Sequence, residues 1–151
     1  MGIEIREIEL NKDIDKLKMI YEKTLERSTG VLNQFYSGFA SYINFCIKQR
    51  YAYVAIVNNC ECGYILAYKE PDMMWGEAVY IELLVVLPEY QRRGIGTKLL
   101  DTIKIQAAEY GFRMLALRTG CYMDAYEIYK KYGFKDTRDD QRFMIMGINN
   151  K

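Results

Sequence analysis

The chain has 151 residues, half of them hydrophobic, with 21 basic and 20 acidic side chains, four cysteines and no histidine. That is about one domain's worth of chain, able to bury roughly 70% of the surface its unfolded form exposes, and a net charge of +1 makes no electrostatic case for nucleic acid or an anionic membrane. The missing histidine excludes Ser/His and Cys/His catalytic pairs and any histidine general base, leaving carboxylates, Tyr, Lys, Cys and backbone N–H groups to do chemistry.

Ile3, Ile5 and Ile8 alternate with charges over residues 2–9 and read as a first strand with one slip in register. Asn11 or Asp13 can cap the following segment, where Ile14, Leu17, Tyr21 and Leu25 trace an apolar stripe of helical period until Ser28-Thr29-Gly30 breaks it. From about Leu32 to Lys48, Phe35, Phe39, Ile43 and Ile47 fall four apart, the mark of a second helix. Tyr51 to Val57 and Glu61 to Tyr68 flank the turn residues Asn58-Asn59 as a β-hairpin. Residues 70–77 are expected to be a loop.

The next stretch, Val79 to Leu87, is nearly continuous Val, Ile and Leu, as a buried strand requires, and Pro88 ends it by lacking an N–H. Gln91-Arg92-Arg93-Gly94-Ile95-Gly96-Thr97 follows, and from Ile95 the apolar positions Leu99, Ile103 and Ala107 mark a helix that Gly111 closes. Arg113 to Arg118 reads as a short strand, Ala125 to Tyr132 as a short helix stopped by Gly133, and Arg142 to Ile148 as a last strand. The order is β-α-α-β-β-β-α-β-α-β, a mixed α/β sheet with no repeat or linker, so residues 1–151 read as a single domain.

Cys46, Cys60, Cys62 and Cys121 have spacings unlike zinc ribbons, so free thiols in a reducing cytoplasm, and no metal site, are expected. No apolar run is long enough to span a bilayer, and the alternating start does not look like a signal peptide.

A strand feeding a glycine turn that opens a helix aims free N–H groups and the positive end of a helix dipole at one point, which suits a phosphate. A Walker loop does not fit, because Gly96-Thr97-Lys98 has the wrong order, and a dinucleotide fingerprint would need a glycine where Leu99 stands. Gln91-Arg92-Arg93-Gly94-Ile95-Gly96, with the approach Val86-Leu87-Pro88, instead resembles the Q/R-x-x-G-x-G/A loop of the GNAT superfamily of acyl-CoA-dependent N-acyltransferases. Ala125-Tyr126-Glu127-Ile128-Tyr129-Lys130-Lys131-Tyr132-Gly133-Phe134 resembles a second segment of that family.

The resemblance implies the GNAT fold and acetyl-CoA as co-substrate. It implies that Gly94, Ile95, Gly96 and Thr97 offer backbone or hydroxyl groups to the pyrophosphate, with Gln91 in the motif and Arg92 and Arg93 able to pair phosphates. It also implies that Leu84 and Val86 present backbone N–H groups to the thioester, and that Tyr129 protonates the departing thiolate. Glu82, the only charge between Val79 and Pro88, is by the same resemblance the relay for the amine's proton; otherwise it is a solvated strand carboxylate. Tyr122 stands where the family often carries Asn.

The expected function is acetyl transfer to a primary amine of a small molecule or peptide by direct attack, since no nucleophile here has an activating partner. A non-catalytic acyl-CoA-binding module of the same fold is the alternative. Nucleic acid has only Gln91-Arg92-Arg93 to recommend it, and oligomeric state stays open, a homodimer included. Glu70, Asp72 and Glu77 around Trp75, with Phe35, Tyr36, Phe39 and Tyr42, suggest a cationic or aromatic acceptor; ordinary solvated and core positions are the alternative.

Overall fold

A computed structural model of the chain describes residues 2–24, 36–72, 76–118, 124–136 and 143–148. The elements are strand β1 (Glu4–Glu7), helices α1 (Leu10–Thr24) and α2 (Tyr36–Lys48), strands β2 (Ala52–Val57), β3 (Cys60–Asp72) and β4 (Gly76–Val86), helix α3 (Ile95–Glu109), strand β5 (Met114–Arg118), helix α4 (Asp124–Tyr132), and strands β6 (Lys135–Asp136) and β7 (Phe143–Gly147). The β-α-α-β-β-β-α-β-α-β order holds, with the two-residue β6 as an addition. The expectations for Leu25, Ser28 to Gly30, Leu32, Phe35, Met73 to Trp75, Cys121, Tyr122 and Arg142 lie outside the described residues.

Strand order in the seven-stranded sheet is β1-β2-β3-β4-β5-β7-β6, antiparallel throughout except for parallel β4 and β5. Alternation along the strands sends side chains to two apolar layers. On one face Tyr51, Tyr53, Ala55, Ile65, Ala67, Val79, Ile81, Leu115 and Leu117 pack with Ile95, Leu99, Leu100, Ile103 and Ala107 of α3 and Tyr129 of α4. On the other, Ala52, Val54, Tyr64, Leu66, Val85 and Leu87 pack with Leu17 and Ile20 of α1 and Ile43 and Cys46 of α2. The slip expected in the first strand is real: Ile3 and Ile5 join the first layer and Ile8 the second.

Two expectations need correction. The segment 70–77 is not a loop over most of its length, because the β3–β4 ladder continues through Glu70↔Ala78, Pro71↔Glu77 and Asp72↔Gly76. A proline is tolerated there because the backbone does not need its N–H for every bond of the ladder. Asp13 does not precede α1 as a cap but lies in its first turn, fully buried. It accepts the Glu9 N–H at 2.9 Å and two bonds at 2.8 Å from the Arg6 guanidinium, a bidentate pair that pins the helix start to β1. Burial alone would raise the Asp13 pKa, but the bonds from Arg6, Glu9 and Glu61 outweigh it and hold the carboxyl below 3.8.

Candidate active site

Helix α3 begins as the turn residues demand. Pro88–Tyr90 forms one 3-10 turn after β4, Arg92 and Gly94 take positive φ of 65° and 84°, and Gly94 occupies the N-cap position. A left-handed N-cap favours glycine because a β-carbon would strain it. The first intrahelical bond runs from the Lys98 N–H to the Gly94 carbonyl at 3.0 Å, so the N–H groups of Ile95, Gly96 and Thr97 are those a helix start leaves over. Ile95 is anchored in the core while Gly94 and Thr97 are exposed, which fixes the turn from within and opens its amides outward. At the other end Gly111, with φ of 87°, closes α3, its own N–H bonding Ala108 and that of Phe112 bonding Ala107.

The polar side chains before the glycines are partly spent on the turn itself. Gln91 Nε2 donates to the Val86 carbonyl at 2.9 Å. Arg93 donates to the Glu89 carbonyl at 3.1 Å and lies 5.2 Å over the Tyr90 ring. Arg92 is exposed. The donors this turn offers an anion are therefore chiefly backbone amides, with Arg92 and the Thr97 hydroxyl at its rim.

Beneath the turn, the sheet divides. Among the described residues β4 pairs with β5 only at Val79↔Leu115 and Tyr80↔Ala116, after which β4 continues with β3 alone and β5 with β7 alone. Just past the division the β3–β4 register slips: Leu66 faces Leu83 but Ala67 faces Ile81, leaving Glu82 as an extra residue, a β-bulge. The bulge reverses the alternation. Val79 and Ile81 before it, and Leu84 and Val86 after it, all belong to the α3 layer, whereas Leu83 and Val85 belong to the other. Edges follow the same count. The Leu87 N–H bonds the Cys62 carbonyl on β3 at 2.8 Å, so the N–H groups of Leu84 and Val86 point the opposite way, into the gap that β5 has left.

Tyr129 stands on α4 in the same layer as Leu84 and Val86, its ring 5.7 Å edge-on from Phe134. It is only 7% exposed, and its hydroxyl has no hydrogen-bond partner among the described residues. Burial pushes its pKa up to about 12, so the phenol stays protonated at neutral pH. Glu82 is exposed on the opposite face of β4, and the Tyr42 hydroxyl of α2 donates to its Oε1 at 3.1 Å.

The model of the acetyltransferase (GNAT) family matches residues 17–134 of the chain. The chain belongs to the GNAT acetyltransferase family. Its fold is similar to that of the Pyrococcus horikoshii OT3 protein PH1933, at 24% identity and a TM-score of 0.81, over 98% of this chain and 99% of that one. It is also similar to the PaiA N-acetyltransferase of Thermoplasma acidophilum, solved in complex with coenzyme A, at 19% identity and a TM-score of 0.80, over 97% and 99%. Arabidopsis thaliana Naa50, solved with the bisubstrate analogue CoA-Ac-MVNAL, matches at 21% identity and a TM-score of 0.74, over 96% and 98%.

In this GNAT chain the residues singled out from sequence fall into two groups. Leu84, Val86, Gln91 to Thr97 and Tyr129 gather on the α3 side of the divided sheet, and Glu82 projects from the α2 side. Sequence reading missed the surroundings of Glu82: Phe45, Tyr68, Tyr80 and Arg118 gave no local signal, since they come from four different elements. Among the described residues no helix is long and apolar enough to cross a membrane.

Proposed function

We propose that this GNAT acetyltransferase moves the acetyl group of acetyl-CoA to the primary amine of a small molecule or peptide by direct attack, as one domain over residues 1–151. The observation that carries this reading is the pair of outward-facing amides, Leu84 and Val86, beside the opening between β4 and β5 and below the glycine turn. The N–H groups of Ile95, Gly96 and Thr97, left over at the helix start, suit a pyrophosphate. Acetyl-CoA supplies a thioester as the acyl donor. The Leu84 and Val86 N–H groups would polarise its carbonyl, Glu82 would take the proton of the attacking amine, and Tyr129 would give a proton to the sulfur.

Two of the four cysteines favour direct attack. Burial pushes the Cys46 thiol up to about 12 and the Cys62 thiol up to about 11, so neither is a thiolate nucleophile at neutral pH. The same effect helps Tyr129. A phenol near 12 is a weak acid toward a thiolate in water, but a thiol in an equally dry site is displaced upward as well, which brings donor and acceptor closer together.

The test pairs binding with turnover. Acetyl-CoA at about 100 times its Kd should stabilise the chain by roughly 2.7 kcal/mol, seen as a rise in melting temperature. Acetylated product and free thiol should then appear together with a panel of amines. Binding without transfer to any amine would make the chain a non-catalytic acyl-CoA module, and absence of both would overturn the reading.

A further inference from the structure

The α2 face of β4 carries a group of side chains for which the acetyl-CoA half of the reaction has no use. Tyr42 and Phe45 of α2 meet Tyr68 of β3 with ring centroids 6.3 Å and 5.6 Å apart, and Tyr68 meets Tyr80 of β4 at 5.4 Å. Aromatic rings gathered this way ordinarily close a core, but here Phe45 is 45% exposed and Tyr42 and Tyr68 are only half-buried. The rings therefore form a wall with an open side. Glu82 stands at that wall, held by Tyr42, and Glu70 lies near enough to act on both Tyr68 and Tyr80. Arg118 of β5 is the cation of the group; it lies 5.4 Å over the Tyr80 ring and donates to the Tyr80 hydroxyl at 3.3 Å.

Charge and shape together choose an occupant. Glu82 and Glu70 carry two negative charges against the one positive charge of the exposed Arg118, which favours a cation, and exposed ring faces attract either a cation or a flat apolar group. The distance from the chemistry is short in sequence terms, since Glu82 is the residue of the bulge and Leu84 follows two places on.

We infer that Phe45, Tyr42, Tyr68 and Glu82 form the acceptor subsite, which takes a protonated primary amine carried on an aromatic or extended alkyl arm, with Tyr42 holding the Glu82 carboxylate toward the ammonium. The inference rests on the proposed acetyl transfer and names its acceptor class. Burial and the neighbouring Glu82 both raise the Tyr42 pKa, so its hydroxyl remains a donor across the working pH range. The other groups facing Glu82 are Cys46 on α2, Tyr68 on β3 and Tyr80 on β4, each ordinarily neutral at that pH. Tyr42 is thus a positioning residue.

The experiment offers the full chain acetyl-CoA with 2-phenylethylamine, hexylamine, methylamine, a peptide with a free N-terminus, or glutamate, measuring kcat and KM for each. Phenylethylamine and hexylamine should exceed methylamine and glutamate about tenfold or more in kcat/KM, the scale of burying one apolar arm. Phe45→Ala should raise KM for phenylethylamine more than for methylamine. Tyr42→Phe, which keeps the ring and removes the hydroxyl, should lower kcat with KM for phenylethylamine little changed, and should keep the melting shift with acetyl-CoA that shows the variant is folded. Preference for glutamate or for the peptide, or equal effects of Phe45→Ala on both amines, overturns the subsite while acetyl transfer stands. Absence of transfer to every amine overturns the proposed function and the subsite with it.

Discussion

The two faces of the sheet are built on different principles. On the α3 face the groups assigned to acetyl-CoA are largely backbone amides, fixed by a glycine turn, a helix start and a strand edge, with Tyr129 as the chief side-chain contributor. On the α2 face the groups assigned to the acceptor are all side chains, contributed by α2, β3 and β4. Amides come with the fold and cannot be exchanged without breaking it, whereas side chains can be replaced one at a time. Under the proposed function, a common donor on the first face and a changeable acceptor on the second would follow from that difference.

The largest effects are expected at Tyr129 and Glu82, the two groups proposed to move protons. Tyr129→Phe should lower kcat by about 10²–10⁴-fold with little loss of acetyl-CoA affinity, measured by steady-state kinetics beside the melting shift. Glu82→Gln should fall in the same range, because an amide side chain cannot accept the amine's proton. With the Tyr129 pKa near 12, ionisation of this phenol should not produce a fall in rate between pH 8 and about 10.

A smaller effect concerns the frame of the acceptor face. Asp13→Ala strands the half-buried Arg6 guanidinium and frees the start of α1, which should cost about 3 kcal/mol in denaturant unfolding. The native Asp13 pKa is lowered, so its contribution is full above its ordinary value of 3.8 and is lost as pH falls through the lower folded value. The wild type should therefore lose melting temperature on acidification below about pH 4 more steeply than Asp13→Ala does.

Next comes the donor turn. Gly94→Val forces a β-branched residue into a φ of 84° and should abolish the roughly 2.7 kcal/mol melting shift with acetyl-CoA. The smallest effect serves as its control: Gly111→Ala, at the far end of the same helix with φ of 87°, should cost about 1–2 kcal/mol of stability and leave that shift intact. Equal loss of the shift in both variants would mean that the turn matters only for folding α3.

What the sequence made legible follows the same division. Gly94, Gly96, Tyr129 and the strand before Pro88 sit within one 56-residue stretch, from 79 to 134, and each obeys a local rule: a left-handed turn, a helix start, a tyrosine at fixed spacing from a stop. The hairpin at Asn58-Asn59, both with positive φ, was readable for the same reason. The strands running to Asp72 and from Gly76 were not, because charged and proline residues there look like a loop until pairing across the ladder is known. Nor were the bulge at Glu82 and the ring wall legible. A bulge is a relation between two strands, and Phe45, Tyr68, Tyr80 and Arg118 meet only once the chain has folded.

The bulge has a consequence for how this protein tolerates change. Glu82 is the one residue of β4 between Gly76 and Val86 with no counterpart across β3. Its side chain is exposed and belongs to neither packed layer, and its bond from Tyr42 lies at the surface. Substitutions there should fall within the roughly ±0.5 kcal/mol of ordinary surface changes while moving turnover by orders of magnitude. Under the role proposed for Glu82, the proton-accepting position would thereby be free to drift: a lineage could trial Asp, Gln or Tyr at this point, and with them new amines, without first acquiring stability to spare.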